Sequence, residues 1–290
     1  MNNPFSLAGK TILVTGASSG IGQSVAISCA GMGASLVLTA RNRQRLGETL
    51  NQMEGSHQVV EADLLDDKQR TELVEKIPQL DGIVHCAGIG SRIPCKLIDQ
   101  ASLDSVMKPN FEAPVLLQAS ILSQKKLKKG ASVVFIASRA YDSPSIGNAA
   151  YSASKGAVIS YSKCLALELA PRQIRVNCIC PAMVWTKLIL QDAVSKEELE
   201  EAQKKYPLKR YGNPEDVANL AIYLLSDAST WMTGSAIDLT GGGRRNSSLG
   251  KLWRLLKQYR IIFRNKSLRM RSSSRNFLNG VSKRSPQRLE

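Results

Sequence analysis

The sequence predicts an α/β fold built on a doubly wound, mostly parallel β-sheet. Apolar runs of strand length recur along the chain, and each is separated from the next by a segment long enough for a crossover helix. The runs are apolar throughout and do not alternate with polar residues, which is typical of strands covered on both faces. Repeated strand–helix–strand units therefore predict one domain over residues 1–243. The runs are 11–15, 35–39, 57–62, 82–85, 132–137, 174–179 and 236–239.

The composition is that of a globular chain with a sizeable core. Of 290 residues, 43% are apolar and 22% are charged, which excludes collagen, a coiled coil and wholesale disorder. No apolar run approaches the ~20 residues that cross a bilayer. The N-terminal MNNPFSLAGK has no basic-then-apolar signal pattern, so we expect a cytoplasmic protein. The six cysteines show no CxxC spacing and there are two histidines, so we expect no metal site, and free, buried thiols.

A glycine-rich loop follows the first predicted strand. Residues 15–22 read Thr-Gly-Ala-Ser-Ser-Gly-Ile-Gly and run directly into a helical pattern. The glycines allow a tight turn and a close approach of the backbone to a pyrophosphate, which amide groups and the positive end of the helix attract. Because the loop opens a βαβ unit, we interpret it as a dinucleotide site; the alternative is a glycine-rich turn without a ligand. The predicted contacts are Gly16, Ser18, Ser19, Gly20, Ile21 and Gly22.

The loop after the second strand favours NADP(H). An NAD site usually offers a carboxylate to the ribose there, whereas residues 38–43 contain no acid and do contain Arg41. A guanidinium can fork onto a 2′-phosphate, with Ser18 and Arg43 as further candidates. The alternative is a solvated loop arginine, and NAD(H) stays open. After the third strand, Asp63 and Leu64 are predicted to contact the adenine.

A tyrosine and a lysine are placed for proton transfer. Tyr151 and Lys155 are four residues apart and so share a helix face, and Ser138 follows the strand at 132–137. A phenol with an ordinary pKa near ~10 is a poor acid at neutral pH, but a neighbouring cation favours the phenolate. A serine hydroxyl can hydrogen-bond a substrate oxygen as charge develops. Taken alone, such a Tyr–Lys pair is more often a helix-surface feature.

Asn110 lies in an otherwise helical stretch that contains Pro114. Because proline has no N–H, the carbonyl four residues before it loses its helical partner. A freed Asn110 carbonyl could hold a water molecule on a proton path from Lys155. The alternative is an irregular helix without a function.

Taken together, these residues resemble the short-chain dehydrogenase/reductase family over about residues 7–243. The resemblance implies a seven-stranded Rossmann-type sheet flanked by helices, nicotinamide chemistry, and a catalytic set of Asn110, Ser138, Tyr151 and Lys155. Within the family the chain is most similar to 3-oxoacyl-acyl-carrier-protein reductases and their relatives. Further implied cofactor contacts are Ala87 and Gly88 after the fourth strand, and Pro181, Val184 and Thr186 after the sixth.

The implied reaction is hydride transfer between the nicotinamide and a small-molecule or carrier-bound carbonyl substrate. Ser138 would hold the carbonyl oxygen, Tyr151 would deliver the proton, Lys155 would orient the ribose, and Asn110 would hold a relay water. Residues 185–210 would act as a lid. The resemblance also implies a homodimer or homotetramer. Alternatives are an NAD-dependent alcohol dehydrogenase and a non-catalytic NADP-binding scaffold.

The sequence departs from the family pattern in two places. Its Asn-Asn-Ala-Gly after the fourth strand reads His85-Cys86-Ala87-Gly88 here, and Ala182 stands where the family has glycine. We favour a bracing hydrogen bond over catalysis for His85.

The excess charge of the chain lies in a C-terminal extension. The formal net charge is +15, and residues 244–290 hold 14 of the 39 basic residues and one of the 24 acidic residues. Apolar residues at helical spacing, with basic residues between them, predict an amphipathic helix at 249–264, able to lie on an anionic membrane or dock on an acidic partner. The remainder is predicted to be disordered. A solvated extension without a role, or a stretch unrelated to the domain, is the alternative; no stacking aromatics or recognised module supports nucleic-acid binding.

Overall fold

A computed structural model describes residues 3–189 and 195–243 of the chain. These residues form a seven-stranded sheet in the order β3-β2-β1-β4-β5-β6-β7, and every neighbouring pair is parallel. The strands are β1 Thr11–Thr15, β2 Ser35–Ala40, β3 Gln58–Glu61, β4 Leu80–His85, β5 Leu127–Ile136, β6 Arg175–Pro181 and β7 Ala236–Leu239. The helices are α1 Gly20–Gly31, α2 Arg43–Leu50, α3 Asp67–Lys76, α4 Gln100–Met107, α5 Ala113–Ser123, α6 Ala149–Leu169, α7 Lys196–Gln203 and α8 Pro214–Leu225. The predicted doubly wound α/β architecture is confirmed.

The core consists of two layers, one on each face of the sheet. Successive side chains of β1 point to opposite faces, so Leu13 packs with residues of α3, α5 and α6, whereas Ile12 and Val14 pack with residues of α1 and α8. Both faces are therefore dry, which is why the strand runs are apolar throughout.

One strand begins earlier than its apolar pattern. We predicted a start at residue 132, but β5 begins at Leu127, which pairs with Leu80 before the register shifts ahead of Gly82. After Leu127, the strand continues with Lys128, Lys129 and Gly130, which has φ +78°. An irregular, partly exposed strand end has no apolar run to reveal it.

The prediction of buried thiols is wrong for Cys95 and Cys164, which are exposed, and Cys86 is only half-buried. Cys29, Cys178 and Cys180 are buried, and burial raises the pKa of the Cys29 thiol to about 12. Cys95 lies in an exposed turn, and Cys164 lies on the outward side of α6, which the core does not cover. Within the described ranges, no group of three or more His, Cys, Asp or Glu residues is arranged to hold a metal ion.

No helix in the described part of the chain has the length and apolar character to span a membrane. The predicted extension 244–290, with its helix at 249–264, lies outside the described residues and stays a prediction.

Candidate active site

The glycine loop between β1 and α1 packs closely against the end of β4. A Cβ atom at Gly16, where φ is +67°, would lie 2.9 Å from the backbone nitrogen of Ala87. A Cβ atom at Gly22 would lie 2.3 Å from the carbonyl oxygen of Gly16. The Thr15 hydroxyl accepts hydrogen bonds of 3.1 Å from the N–H groups of Cys86 and Ala87. The loop is therefore tightly packed, and a side chain at Gly16 or Gly22 would collide with backbone atoms.

The N-terminus of α1 faces the same loop without a side-chain cap. Ser19 stands at the cap position with φ −172°, yet its side chain makes no capping hydrogen bond, and the first turn holds no acidic residue. The methyl group of Thr186 lies 3.4 Å from the Cβ position of Gly20, which places the segment after β6 against this helix end. Ser18 and Ile21 are half-buried beside it. The amide groups of the first turn are thus available to an anion.

Arg41 is exposed at the end of β2. Across residues 3–189 and 195–243 it makes no hydrogen bond and no ion pair. Asn42 is occupied with capping α2, since its side chain accepts a hydrogen bond from the Arg45 N–H at 2.8 Å. The loop therefore presents a free guanidinium and no carboxylate next to the glycine loop.

Asp63 and Leu64 differ in their access to a ligand. Asp63 is partly exposed, and its Oδ1 accepts a hydrogen bond of 3.0 Å from the Leu65 N–H. Leu64 is 8% exposed and belongs to the core, and its carbonyl accepts a hydrogen bond of 2.8 Å from Arg70. An adenine contact by the Leu64 side chain is limited to its exposed edge.

Tyr151 and Lys155 lie on the inner side of α6. The ammonium nitrogen of Lys155 lies 5.9 Å from the centroid of the Tyr151 ring. Lys155 is 6% exposed and donates a hydrogen bond of 2.9 Å to the carbonyl oxygen of Ile136 at the end of β5. No carboxylate among the described residues forms an ion pair with it. The positive charge of the buried Lys155 ammonium is therefore not neutralised by a carboxylate of the described residues.

Ser138 lies two residues beyond that carbonyl and caps the short turn Arg139–Tyr141. Its Oγ accepts a hydrogen bond of 3.1 Å from the Ala140 N–H, which leaves the hydroxyl proton free to be donated elsewhere. Among the described residues, no hydrogen bond joins the hydroxyls of Ser138 and Tyr151. Both hydroxyls therefore remain available to a third group.

Asn110 lies in a π-helical turn, Lys108–Glu112, between α4 and α5. The predicted irregularity is confirmed: the Ala113 N–H bonds the carbonyl of Lys108, five residues back. Asn110 is 1% exposed, and its side chain accepts a hydrogen bond from the Ile89 N–H at 2.8 Å and donates to the Ile89 carbonyl at 3.0 Å. Its amide also donates to Ser154 Oγ at 3.1 Å.

This side-chain clamp is absent from our sequence prediction, which considered the carbonyl alone. The absence of a side chain at Gly88 allows this close packing, since an added Cβ atom would lie 2.9 Å from Asn110 Oδ1 and 3.4 Å from Lys155 Nζ. Asn110, Lys155 and the loop after β4 thus converge at one point. The signals in the sequence for this contact were the asparagine in the irregular helical stretch and the glycine after the fourth strand.

His85 braces β4 against α5. It is 3% exposed, stacks on Phe135 with ring centroids 4.5 Å apart, and its Nε2 lies 3.1 Å from Gln118 Oε1. Burial lowers the pKa of His85 to about 4, although the Gln118 hydrogen bond opposes this shift. A neutral, fully packed imidazole agrees with the bracing role and not with acid–base catalysis.

The segment after β6 crosses the carboxyl end of the sheet. Pro181 ends β6, and Val184 is buried and bridges to Gly212. Further along, Leu188 lies 3.3 Å from the Cβ position of Gly90 in the loop after β4. With the Thr186 contact described above, this segment spans from the glycine loop to the loop after β4.

Helix α7 lies within residues 185–210, the segment that we expect to act as a lid. Ser195 and Glu198 form a reciprocal capping box at its start, which accounts for the helix beginning at residue 196. The Trp185 indole N–H donates to Gln203 Oε1 at 3.1 Å and so ties α7 to the segment after β6. Residues 190–194 lie outside the described residues.

A cavity of about 670 Å³ lies elsewhere. Two loops and the outward side of α6 line it. The lining residues are Pro94, Cys95, Tyr141, Pro144, Ser145, Ile146, Gly147, Ala149, Ser152, Ala153 and Gly156. Neither Tyr151 nor Lys155 lines it, because they lie on the opposite side of the helix. This cavity is therefore separate from the Tyr151 and Lys155 side chains.

Comparisons with known proteins identify the family of the chain. The family model described as enoyl-(acyl carrier protein) reductase matches residues 16–243. A 3-oxoacyl-[acyl-carrier-protein] reductase of Rickettsia felis is 31% identical over 236 residues, which are 81% of this chain and 97% of that relative. The chain belongs to the short-chain dehydrogenase/reductase family. Like other members, it is an NAD(P)-dependent oxidoreductase that acts on CH–OH or C=O groups.

Further relatives of the same family include a human protein and two solved structures. Human dehydrogenase/reductase SDR family member 4 is 30% identical over 81% of this chain and 88% of its own length. A dehydrogenase/reductase from Sinorhizobium meliloti has a TM-score of 0.75 at 32% identity, covering 82% of this chain and 96% of that one. A short-chain dehydrogenase/reductase of the glucose/ribitol dehydrogenase type from Brucella melitensis has a TM-score of 0.77 at 30% identity, covering 83% and 98%.

Proposed function

We propose that this protein is an NADPH-dependent reductase of a ketone or other carbonyl compound, with Tyr151 as the general acid. The observation that carries the proposal is the convergence of Lys155 and Asn110 at Gly88, with the Tyr151 ring centroid 5.9 Å from the Lys155 ammonium nitrogen. These groups come from α6, the π-helical turn and the loop after β4. A scaffold that only bound the cofactor would not need a phenol and a buried ammonium at that point.

The residues present fit a dinucleotide. Gly16 and Gly22 leave no space for a Cβ atom, so the backbone itself forms the wall that a pyrophosphate would approach. Bound NADPH would supply the hydride from its nicotinamide ring. We assign the phosphates to the amide groups of residues 18–22, the ribose on the nicotinamide side to Lys155, and the nicotinamide itself to the segment 181–186. Ala87 and Gly88 would lie beside the adenosine ribose, with Asp63 and the edge of Leu64 beside the adenine.

The proton is handled by the chain itself. The phenol of Tyr151 donates to the oxygen of the reduced carbonyl, and the ammonium of Lys155 stabilises the phenolate that remains. The Ser138 hydroxyl donates a hydrogen bond to the same oxygen as negative charge develops on that oxygen. Asn110 holds the loop after β4 through Ile89, and its backbone carbonyl is the proposed holder of a relay water.

The preference for NADPH is supported by Arg41. A free guanidinium next to the glycine loop attracts a 2′-phosphate, and the absence of a carboxylate from the loop at residues 40–43 removes the usual ribose ligand of NAD. A structural relative supports the same preference: a Beutenbergia cavernae protein classed as an NAD(P)-dependent gluconate 5-dehydrogenase, with NADP bound at low occupancy. It has a TM-score of 0.74 at 31% identity and covers 83% of this chain and 98% of that one.

The names of the relatives support a carbonyl substrate that is either a small molecule or bound to a carrier. We further propose a domain over residues 1–243, a homo-oligomer, and a cytoplasmic location, as the sequence predicts. The extension 244–290 keeps its predicted membrane or acidic-partner role as an untested expectation.

The experiment is a panel of carbonyl compounds assayed by the loss of NADPH absorbance. The panel comprises acetoacetyl-coenzyme A, a keto sugar, a steroid ketone and a small aliphatic ketone, each with NADPH and with NADH. We expect at least one compound to be reduced, with a higher kcat/KM for NADPH than for NADH. A protein that binds NADPH but reduces none of the compounds would favour the scaffold alternative.

A further inference from the structure

Arg139, which follows Ser138 directly, forms a double ion pair at the carboxyl end of the sheet. Its Nη1 lies 2.9 Å from Asp142 Oδ2 and 2.7 Å from Asp238 Oδ2, and its side chain is 16% exposed. The central carbon of the guanidinium lies 5.9 Å from the centroid of the Tyr141 ring. A guanidinium held by two carboxylates and an aromatic ring is a fixed charge and not a solvated side chain.

The pair with Asp238 reaches across a whole strand. Arg139 follows the end of β5, Asp238 lies within β7, and β6 lies between those strands. Neighbouring strands are ~4.8 Å apart, so the contact spans about 10 Å. Asp238 pairs in register with Cys180, the residue before Pro181, where the segment proposed to hold the nicotinamide begins. The ion pair therefore ties the loop after β5 to the far edge of the sheet at the level of the site.

The turn that Arg139 anchors is the one that holds the Ser138 hydroxyl. Ser138 Oγ accepts its hydrogen bond from the Ala140 N–H within this turn. From the other side, Ser152 of α6 donates a hydrogen bond of 2.5 Å to the Ala140 carbonyl. The turn is thus held at two points, one on α6 next to Tyr151 and one on β7 through Arg139.

We infer that Arg139 is a positioning residue: through Asp238 it holds this turn in the orientation that directs the Ser138 hydroxyl to the substrate oxygen. The inference rests on the proposed function, because Arg139 acts only through Ser138. Misplacing a group that contacts the transition state by ~1 Å can cost about 100-fold in rate. An ion pair that only stabilised the fold would change the melting temperature and leave the kcat of the folded enzyme unaltered.

The test is a double-mutant cycle on kcat, measured with NADPH and the panel compound that the wild-type enzyme reduces best. We expect Ser138→Ala to lower kcat by about 100-fold, and Arg139→Gln and Asp238→Asn each to lower it by about 10-fold. In the Ser138→Ala background, Arg139→Gln should cause no further loss, because no hydroxyl remains to be positioned. The Kd of NADPH should change less than about 2-fold in each variant, since the glycine loop is untouched. Arg139→Lys, which keeps the charge, should retain more activity than Arg139→Gln.

Lys10→Gln is the matched control. The ion pair between Lys10 and Asp227 is also 2.7 Å long, but it lies before β1, at the opposite end of the sheet. This variant should keep the wild-type kcat.

The outcomes separate the inference from the proposed function. A folded Arg139→Gln variant with wild-type kcat would overturn the inference alone, as would a loss that multiplies with that of Ser138→Ala. A fully active Ser138→Ala variant would overturn the proposed role of the serine and, with it, the inference. If Arg139→Gln does not fold, Asp238→Asn carries the same cycle, because the smaller change keeps the shape of the side chain.

Discussion

A single methyl group at Gly22 should abolish tight NADPH binding, whereas the same group at Gly31 should not. Both glycines lie in α1, but an added Cβ atom meets the Gly16 carbonyl oxygen at 2.3 Å at one position and nothing within 4 Å at the other. A carbon atom normally approaches a carbonyl oxygen no closer than ~3.3 Å. The Gly22→Ala variant must therefore move the glycine loop by about 1 Å.

The expected loss of affinity follows from that displacement. Hydrogen bonds of ~2.9 Å from backbone amides to phosphate oxygens would lengthen to about 3.9 Å, beyond the range in which they form. Each hydrogen bond to a charged group contributes ~1.5–3 kcal/mol, so losing two costs about 3–6 kcal/mol. The Kd of NADPH should rise by about 10² to 10⁴-fold. Gly31→Ala should instead stabilise the fold by ~0.5–1 kcal/mol, because alanine is the better residue in an open helix position.

The assay is a fluorescence titration of NADPH on both variants and the wild-type protein, together with thermal melts. The melts identify any Gly22→Ala protein that is unfolded at the titration temperature. The reasoning about the glycine loop would be refuted by a folded Gly22→Ala protein whose Kd for NADPH lies within about 3-fold of the wild-type value. Equal losses in the two variants would also refute it, since Gly31 does not contact the loop.

Two further predictions concern the cofactor phosphate and the buried histidine. Replacing Arg41 with alanine should weaken NADPH binding by about 10 to 100-fold, the equivalent of one charge-assisted contact. NADH binding should hardly change. Arg45→Ala, in the first turn of α2, is the control. Equal effects of Arg41→Ala on both cofactors would contradict the 2′-phosphate assignment. The pKa of His85 is about 4 in the fold and near ~6.5 in the unfolded chain, so the unfolded state binds more protons between these pH values. The contribution of the neutral His85 to the free energy of unfolding is therefore complete above ~pH 6.5 and is lost as the pH falls towards 4. The loss amounts to about 3 kcal/mol. Urea unfolding at several pH values should show this loss in the wild type and a smaller one in His85→Asn. The same dependence of the free energy of unfolding on pH in both proteins would contradict the burial argument.

The fold could be predicted from the sequence because the pattern that marks each strand lies within the residues of that strand. Strands buried on both faces leave continuous apolar runs, and the boundaries of β1 follow such a run closely. The early start of β5 could not be predicted, because Leu127 is followed by two lysines and a glycine and pairs with Leu80, which lies 47 positions earlier in the chain.

The site could be predicted only in part. A glycine loop, and a tyrosine and lysine four residues apart, are patterns within one element: the loop lies between β1 and α1, and both side chains lie on α6. The clamp of Asn110 on Ile89 and Ser154 joins three elements, and no spacing along the chain encodes it. The Arg139–Asp238 pair joins the ends of two strands in the same way. Contacts of this kind depend on sheet order, which must be known before the partner of a charged residue can be named.

The central claim is that the Tyr151 phenol transfers the proton at a bound nicotinamide, and Tyr151→Phe tests it most directly. The matched control is Tyr161→Phe, which removes the same hydroxyl from the same helix, at a ring that packs edge-on against Phe135. Measured together, NADPH binding and turnover should show a Tyr151→Phe variant that binds NADPH like the wild type and has lost at least ~100-fold in kcat. Tyr161→Phe should lose neither. A Tyr151→Phe variant that keeps its turnover would contradict the claim.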